Sequence, residues 1–143
     1  MRKSEAASGR ELGITLISLF FAFGAAMCAL TIILLAFPTS SLTALWSLNP
    51  RARDAFGAMG IWAIVLMLAV GSACAFASVG LWRHRHWGLV IAIAVLSCNL
   101  VGDLLNAIVF GDRRALIGVP IATALLAYLI AVAKRRPRLI LRP

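Results

Sequence analysis

GLVIAIAVLSCNLVGDLLNAIVF, residues 88–110, runs for 23 positions with a single charged side chain, Asp103. As a helix rising ~1.5 Å per residue it is long enough to cross a hydrocarbon core of ~30 Å. Its apolar residues do not alternate with polar ones, so the period of two that a membrane barrel strand needs is missing. A backbone in lipid is then left with the α-helix, which satisfies every N–H and C=O internally. Three more runs of the same kind lie at about 11–37, 56–82 and 115–133. The pattern predicts an all-α integral membrane four-helix bundle, one transmembrane domain over 1–143 ending in a basic tail at 134–143.

Composition points the same way. Of 143 residues, 62% are hydrophobic and 13% charged, and mean hydropathy is +0.97. A soluble domain is about half apolar and a quarter charged. Net charge is +9 and the pI about 11.3. In a soluble protein that would suggest nucleic acid. Here the basic residues fall between apolar runs, where they set orientation and meet anionic lipid headgroups, so no nucleic-acid partner is expected. The first run follows Arg2, Lys3 and Arg10. It is far longer than the ~7–15 apolar residues of a signal peptide, so it is expected to stay as a helix.

Lys and Arg are unevenly shared between alternate connections. The amino-terminal segment, Arg83 and Arg85, and the tail with Lys134, Arg135 and Arg136 carry ten in all. The other side holds four: Arg51, Arg53, Arg113 and Arg114. Positive-inside ordering predicts both termini in the cytoplasm, with the bacterial inner membrane as the expected location. Short connections force neighbouring helices antiparallel, giving an up-down-up-down order. Trp82 and Trp87 bracket the WRHRHW turn as interfacial anchors. The one long connection contains PTSSLTALWSLNP, residues 38–50, whose Leu42, Leu45, Trp46 and Leu48 predict a short interfacial helix ended by Pro50, with Trp46 at headgroup depth.

Small residues recur at spacings of three and four, which lets helices approach closely in lipid. The candidate packing faces are Ala22, Ala25, Ala26 and Ala29 in the first run, and Gly57, Gly60, Gly71, Ala75 and Ser78 in the second.

The stretch NLVGDLLN, residues 99–106, interrupts this apolar pattern. At about 100° per residue, Asp103 lies about 40° from Asn99, and Asn106 about 20° to the other side. Three polar groups share one narrow face, with Gly102 beside them. An ionised carboxylate facing lipid costs several kcal/mol, so this face is expected to meet the bundle interior, a partner or water. Three roles follow: a titrating group in transport, an ion pair with Arg51, Arg53 or Arg114, or a docking contact with another subunit.

His84 and His86 lie two apart in a turn next to Arg83 and Arg85, which suits headgroup contact rather than metal or haem, and no cofactor is expected. Cys28, Cys74 and Cys98 fall one per run. They read as small buried apolar residues, with a Cys74–Cys98 contact as the alternative, because those two share a depth. No catalytic set is present: Asp103 has no second carboxylate at its depth. The reading of function is a non-catalytic accessory or structural subunit that packs against other membrane proteins or itself. The alternative is a small oligomeric transporter or channel in which Asp103 titrates or attracts a cation.

Overall fold

The computed structural model describes residues 2–38, 41–109 and 115–134, and it is all-helical. Among the described residues there are five α-helices, α1 (Arg2–Ala36), α2 (Pro50–Met59), α3 (Ile61–Trp82), α4 (His86–Val109) and α5 (Ala115–Lys134), with a 3-10 segment (Ser41–Leu48) ahead of α2. Three stretches, Glu11–Ala36, Ile61–Trp82 and His86–Leu105, are long and apolar enough to cross a membrane. The apolar part of α5, Gly118–Lys134, is shorter.

The second expected run is not one helix. It divides at Gly60, whose φ of 56° belongs to a region that side-chain-bearing residues avoid. Its N–H turns back to the carbonyls of Phe56 (3.1 Å) and Gly57 (3.2 Å), closing α2 before α3 begins. Pro50 also acts differently from expectation, because it opens α2 at the first helical position. There its missing N–H costs nothing, and the Asn49 side chain caps the turn by accepting from the Ala52 N–H at 3.2 Å. The short helix expected around Trp46 is present as the 3-10 segment.

α1 packs along α3, α3 against α4, and α4 against α5. One apolar core gathers Ile17 and Phe21 of α1, Ala77 and Leu81 of α3, Ala92 and Leu96 of α4, and Leu129 and Val132 of α5. These positions lie toward the start of α1 and α4 and the end of α3 and α5. The core therefore sits at the end of the molecule where the chain turns between α3 and α4.

That turn is a Schellman-type closure. Arg85 N–H reaches Gly80 O (2.8 Å) and His84 N–H reaches Leu81 O (3.0 Å), with His84 at φ 52°. It folds α4 so tightly onto α3 that a Cβ on Gly80 would fall on the Gly88 α-carbon, and would lie 2.9 Å from its nitrogen.

The α1–α3 seam runs antiparallel. A Cβ on Gly24 would sit 3.7 Å from Cys74 Sγ, and one on Gly71 would sit 2.9 Å from Cys28 Cβ, so each helix offers a glycine to the other's cysteine. Further along, Ser18 Oγ donates to Ser78 O and Ser78 Oγ donates to Ser18 O, both at 2.9 Å. Each hydroxyl has one hydrogen and spends it on a carbonyl, so the 3.3 Å approach of the two oxygens accompanies these bonds.

The seam shifts the expected packing face. Ala25, Gly71 and Ser78 do lie on it, whereas Ala22, Ala26, Ala29, Gly57, Gly60 and Ala75 are exposed. On α1 the rest of the face belongs to Ile14, Ile17, Ser18, Phe21 and Gly24.

Two substitutions test this packing. Gly80→Ala drives a methyl into backbone and is expected to cost about 1–3 kcal/mol or more in a denaturation titration, while Gly102→Ala, facing open space, is expected to be near neutral. Ser18→Ala is expected to cost about 0.5–1.5 kcal/mol by the same titration, with Ser78→Ala adding less than its own single effect.

Candidate functional site

The polar face of α4 forms where Asn99, Gly102 and Asp103 come round to one side of the helix. Asp103 is half-buried, and its carboxylate occupies the space where a Gly118 side chain would begin, with Cγ 3.3 Å from that point. Only a glycine on α5 leaves this room. The sequence reading placed Asp103 on an inward or partnered face. The structure sets it in the α4–α5 contact and adds Gly118, which no spacing rule within α4 reveals.

Asn99, one turn earlier, is exposed, as is Gly102, with nothing within 4 Å of where its Cβ would lie. This edge of α4 thus presents the Asn99 amide and the bare Gly102 backbone, with half-buried Asp103 beside them. Cys98 is exposed on the same stretch. The helix of Asn106 is described but not its side chain, and Arg114, Arg135 and Arg136 lie outside the described residues.

The other candidate partners of Asp103 are elsewhere. α2, which carries Arg51 and Arg53, packs against α3 and the 3-10 segment. Arg53 there shares a cavity wall with Trp46. Among the described residues no ion pair involves Asp103.

The interfacial residues separate into two ends. Trp82, Arg83, Arg85 and Trp87 are exposed around the α3–α4 turn, and Lys134 is exposed at the end of α5. Gly13 of α1 lies against Tyr128 of α5, which brings the start of α1 to this same end. Trp46 lies at the other end, half-buried, its ring 6.2 Å from that of Phe56.

Cysteine placement departs from both expectations: Cys98 is exposed rather than buried, and Cys74 lies in the α1–α3 seam rather than against Cys98. Cys74 is buried in the α1–α3 seam opposite Gly24, Cys28 faces Gly71 in the same seam, and Cys98 points outward. Equal depth did not bring Cys74 and Cys98 together, because they project from different faces of their helices.

Comparison with protein families, with curated proteins and with solved structures finds no match. Function must therefore be argued from the chemistry of the described residues.

The Asp103–Gly118 contact yields a graded test. Gly118→Ala is expected to cost under about 1 kcal/mol, because the end of an aspartate side chain can swing to another rotamer. Gly118→Leu must part α4 from α5 and is expected to cost roughly 1–3 kcal/mol by denaturation. Equal costs would mean the carboxylate lies elsewhere.

Proposed function

We propose that this protein is a non-catalytic integral membrane subunit. It crosses the cytoplasmic membrane four times as an antiparallel bundle with the basic end inward, and it docks through the outer half of α4 against another membrane protein or a second copy of itself. Support for insertion comes from how little of the apolar surface is internal. Only 11% of the α1 window and 22% each of the α3 and α4 windows are buried. Large side chains such as Phe23, Trp62, Leu68 and Ile108 stand more than half exposed. Contiguous apolar surface on this scale is incompatible with water and matched by lipid. The fourth crossing is α5, whose 20 residues suffice when its outer end is counted. Anionic headgroups meet Arg83, Arg85 and Lys134.

The observation that carries docking is the exposed Asn99 amide beside Gly102. In hydrocarbon an amide without hydrogen-bond partners costs several kcal/mol. This chain's described residues give Asn99 none, while Gly102 leaves room for a second backbone to come close. A neighbouring helix satisfies both at once. The rival reading, a small oligomeric transporter or channel, uses Asp103 as the titrating or cation-attracting group in the α4–α5 contact.

Native mass spectrometry after gentle extraction with an amino-terminal tag separates the two. A homo-oligomer is common to both readings, so a larger membrane protein at fixed stoichiometry is the expected, discriminating result. Asn99→Leu is expected to lower its recovery about tenfold, the loss of one good interhelical hydrogen bond network, with helicity unchanged. A lone protomer with only lipid bound, unaltered by Asn99→Leu, would end the docking reading. Loss of flux in Asp103→Asn at full protein abundance would then establish transport.

A further inference from the structure

At the end of the molecule away from the basic turn, α1, the 3-10 segment and α2 line an open cavity of about 390 Å³, with Arg53 and Asp54 exposed at its rim. Leu34, Leu35 and Pro38 form its apolar floor, Trp46 one wall, and Arg53 and Asp54 its charged side. It lies where the apolar stretch of α1 stops at Ala36, so in a membrane it falls at headgroup depth. Its volume is within the ~300–1,000 Å³ usual for small-molecule sites.

The cavity brings opposite charges and an apolar lining together. A guanidinium and a carboxylate stand side by side on α2, and about 100° of helix rotation separates their directions. Among the described residues neither enters an ion pair, although both line the same space. The same space is lined by the apolar side chains of Leu34, Leu35 and Pro38, and Leu34 is buried.

We propose that this cavity binds the headgroup of a zwitterionic phospholipid carrying a primary ammonium, a phosphoethanolamine lipid, in the leaflet opposite the basic turn. Arg53 donates to the phosphate, for which its planar fork is suited. Asp54 accepts hydrogen bonds from the ammonium, one short spacer away. Leu34, Leu35 and Pro38 take the glycerol and the first methylenes of the chains, and Trp46 closes the side at its usual interfacial depth.

Other occupants fit less well. An anionic glycerol headgroup satisfies Arg53 but leaves Asp54 facing negative charge. A quaternary ammonium donates no hydrogen bond to Asp54 and is normally held by a cage of several aromatic faces, whereas among the described residues Trp46 is the one aromatic ring on this cavity's wall. Free phosphate uses half the charge pattern and none of the floor. The inference rests on the proposed membrane insertion but is independent of docking through α4.

The test uses the full chain reconstituted in vesicles of equal parts phosphatidylethanolamine, phosphatidylglycerol and phosphatidylcholine, followed by flotation and native mass spectrometry of retained lipid. Wild type is expected to float and to keep one phosphatidylethanolamine about tenfold more often than either other lipid. Arg53→Gln is expected to lower that retention about tenfold, and Asp54→Asn to raise phosphatidylglycerol retention to match phosphatidylethanolamine. Millimolar phosphoethanolamine in solution is expected to displace the lipid, and inorganic phosphate at the same concentration is not. A chain that floats yet retains the three lipids equally, or keeps its preference in both variants, overturns the assignment. Displacement by inorganic phosphate as readily as by phosphoethanolamine overturns the ammonium subsite. A chain that does not float overturns membrane insertion, and this inference with it.

Discussion

At Gly80 and Gly88 the backbones of α3 and α4 touch with no side chain between them, and the arrangement of the remaining helices follows from that contact. α3 already carries α1 along its length through a seam of glycines, cysteines and a reciprocal serine pair, and α4 carries α5. Joining α3 to α4 this closely, just before and after a turn three residues long, places the halves of all four long helices nearest the turn side by side. The apolar core forms there. A bulkier residue at either glycine would separate the two halves by roughly the thickness of a side chain, and Leu81, Leu89 and Leu129 would no longer share one cluster.

Packing concentrated at one end has a consequence at the other. Away from the turn, the helices depend on individual close approaches, and two of these hold the residues of interest. Asp103 enters the α4–α5 contact because Gly118 leaves space for it, and its neighbour Asn99 is left facing outward. Arg53 and Asp54 line a cavity because α2 breaks from α3 at Gly60 and leans over the end of α1. In hydrocarbon, where apolar contact brings no gain over lipid, polar groups and shape decide which helices associate. The proposed docking through Asn99 and the proposed headgroup site at Arg53 and Asp54 both rest on that principle.

Much of the fold was legible in the residues. The lengths of the apolar runs predicted α4, α5 and the apolar stretch Glu11–Ala36 of α1 to within a few residues, although α1 itself begins nine residues earlier at Arg2, and the tight turn at 83–85 was evident from WRHRHW. Composition pointed to helices long and apolar enough to cross a membrane, as three of them are, and helical spacing alone put Asn99 and Asp103 on one face. The break at Gly60 was less visible, since a glycine in an apolar run is equally compatible with a continuous helix. Asn49-Pro50 is in retrospect a helix start, a cap followed by a residue that needs no N–H, and it was read as a stop.

Amino-acid sequence determined the class of this protein because helix length and hydropathy are properties of a segment by itself. Tertiary structure decided which face of each helix is inside. When lipid-facing and core-facing side chains are equally apolar, no stripe marks the buried side, and the alanines of α1 at 22, 26 and 29 offered a plausible face that the molecule does not use. The choice is made between helices, by whether a glycine on one matches a cysteine, serine or carboxylate on the other. Ser18 with Ser78, Cys28 with Gly71 and Asp103 with Gly118 are each separated by many positions along the chain, and only folding shows that they fit.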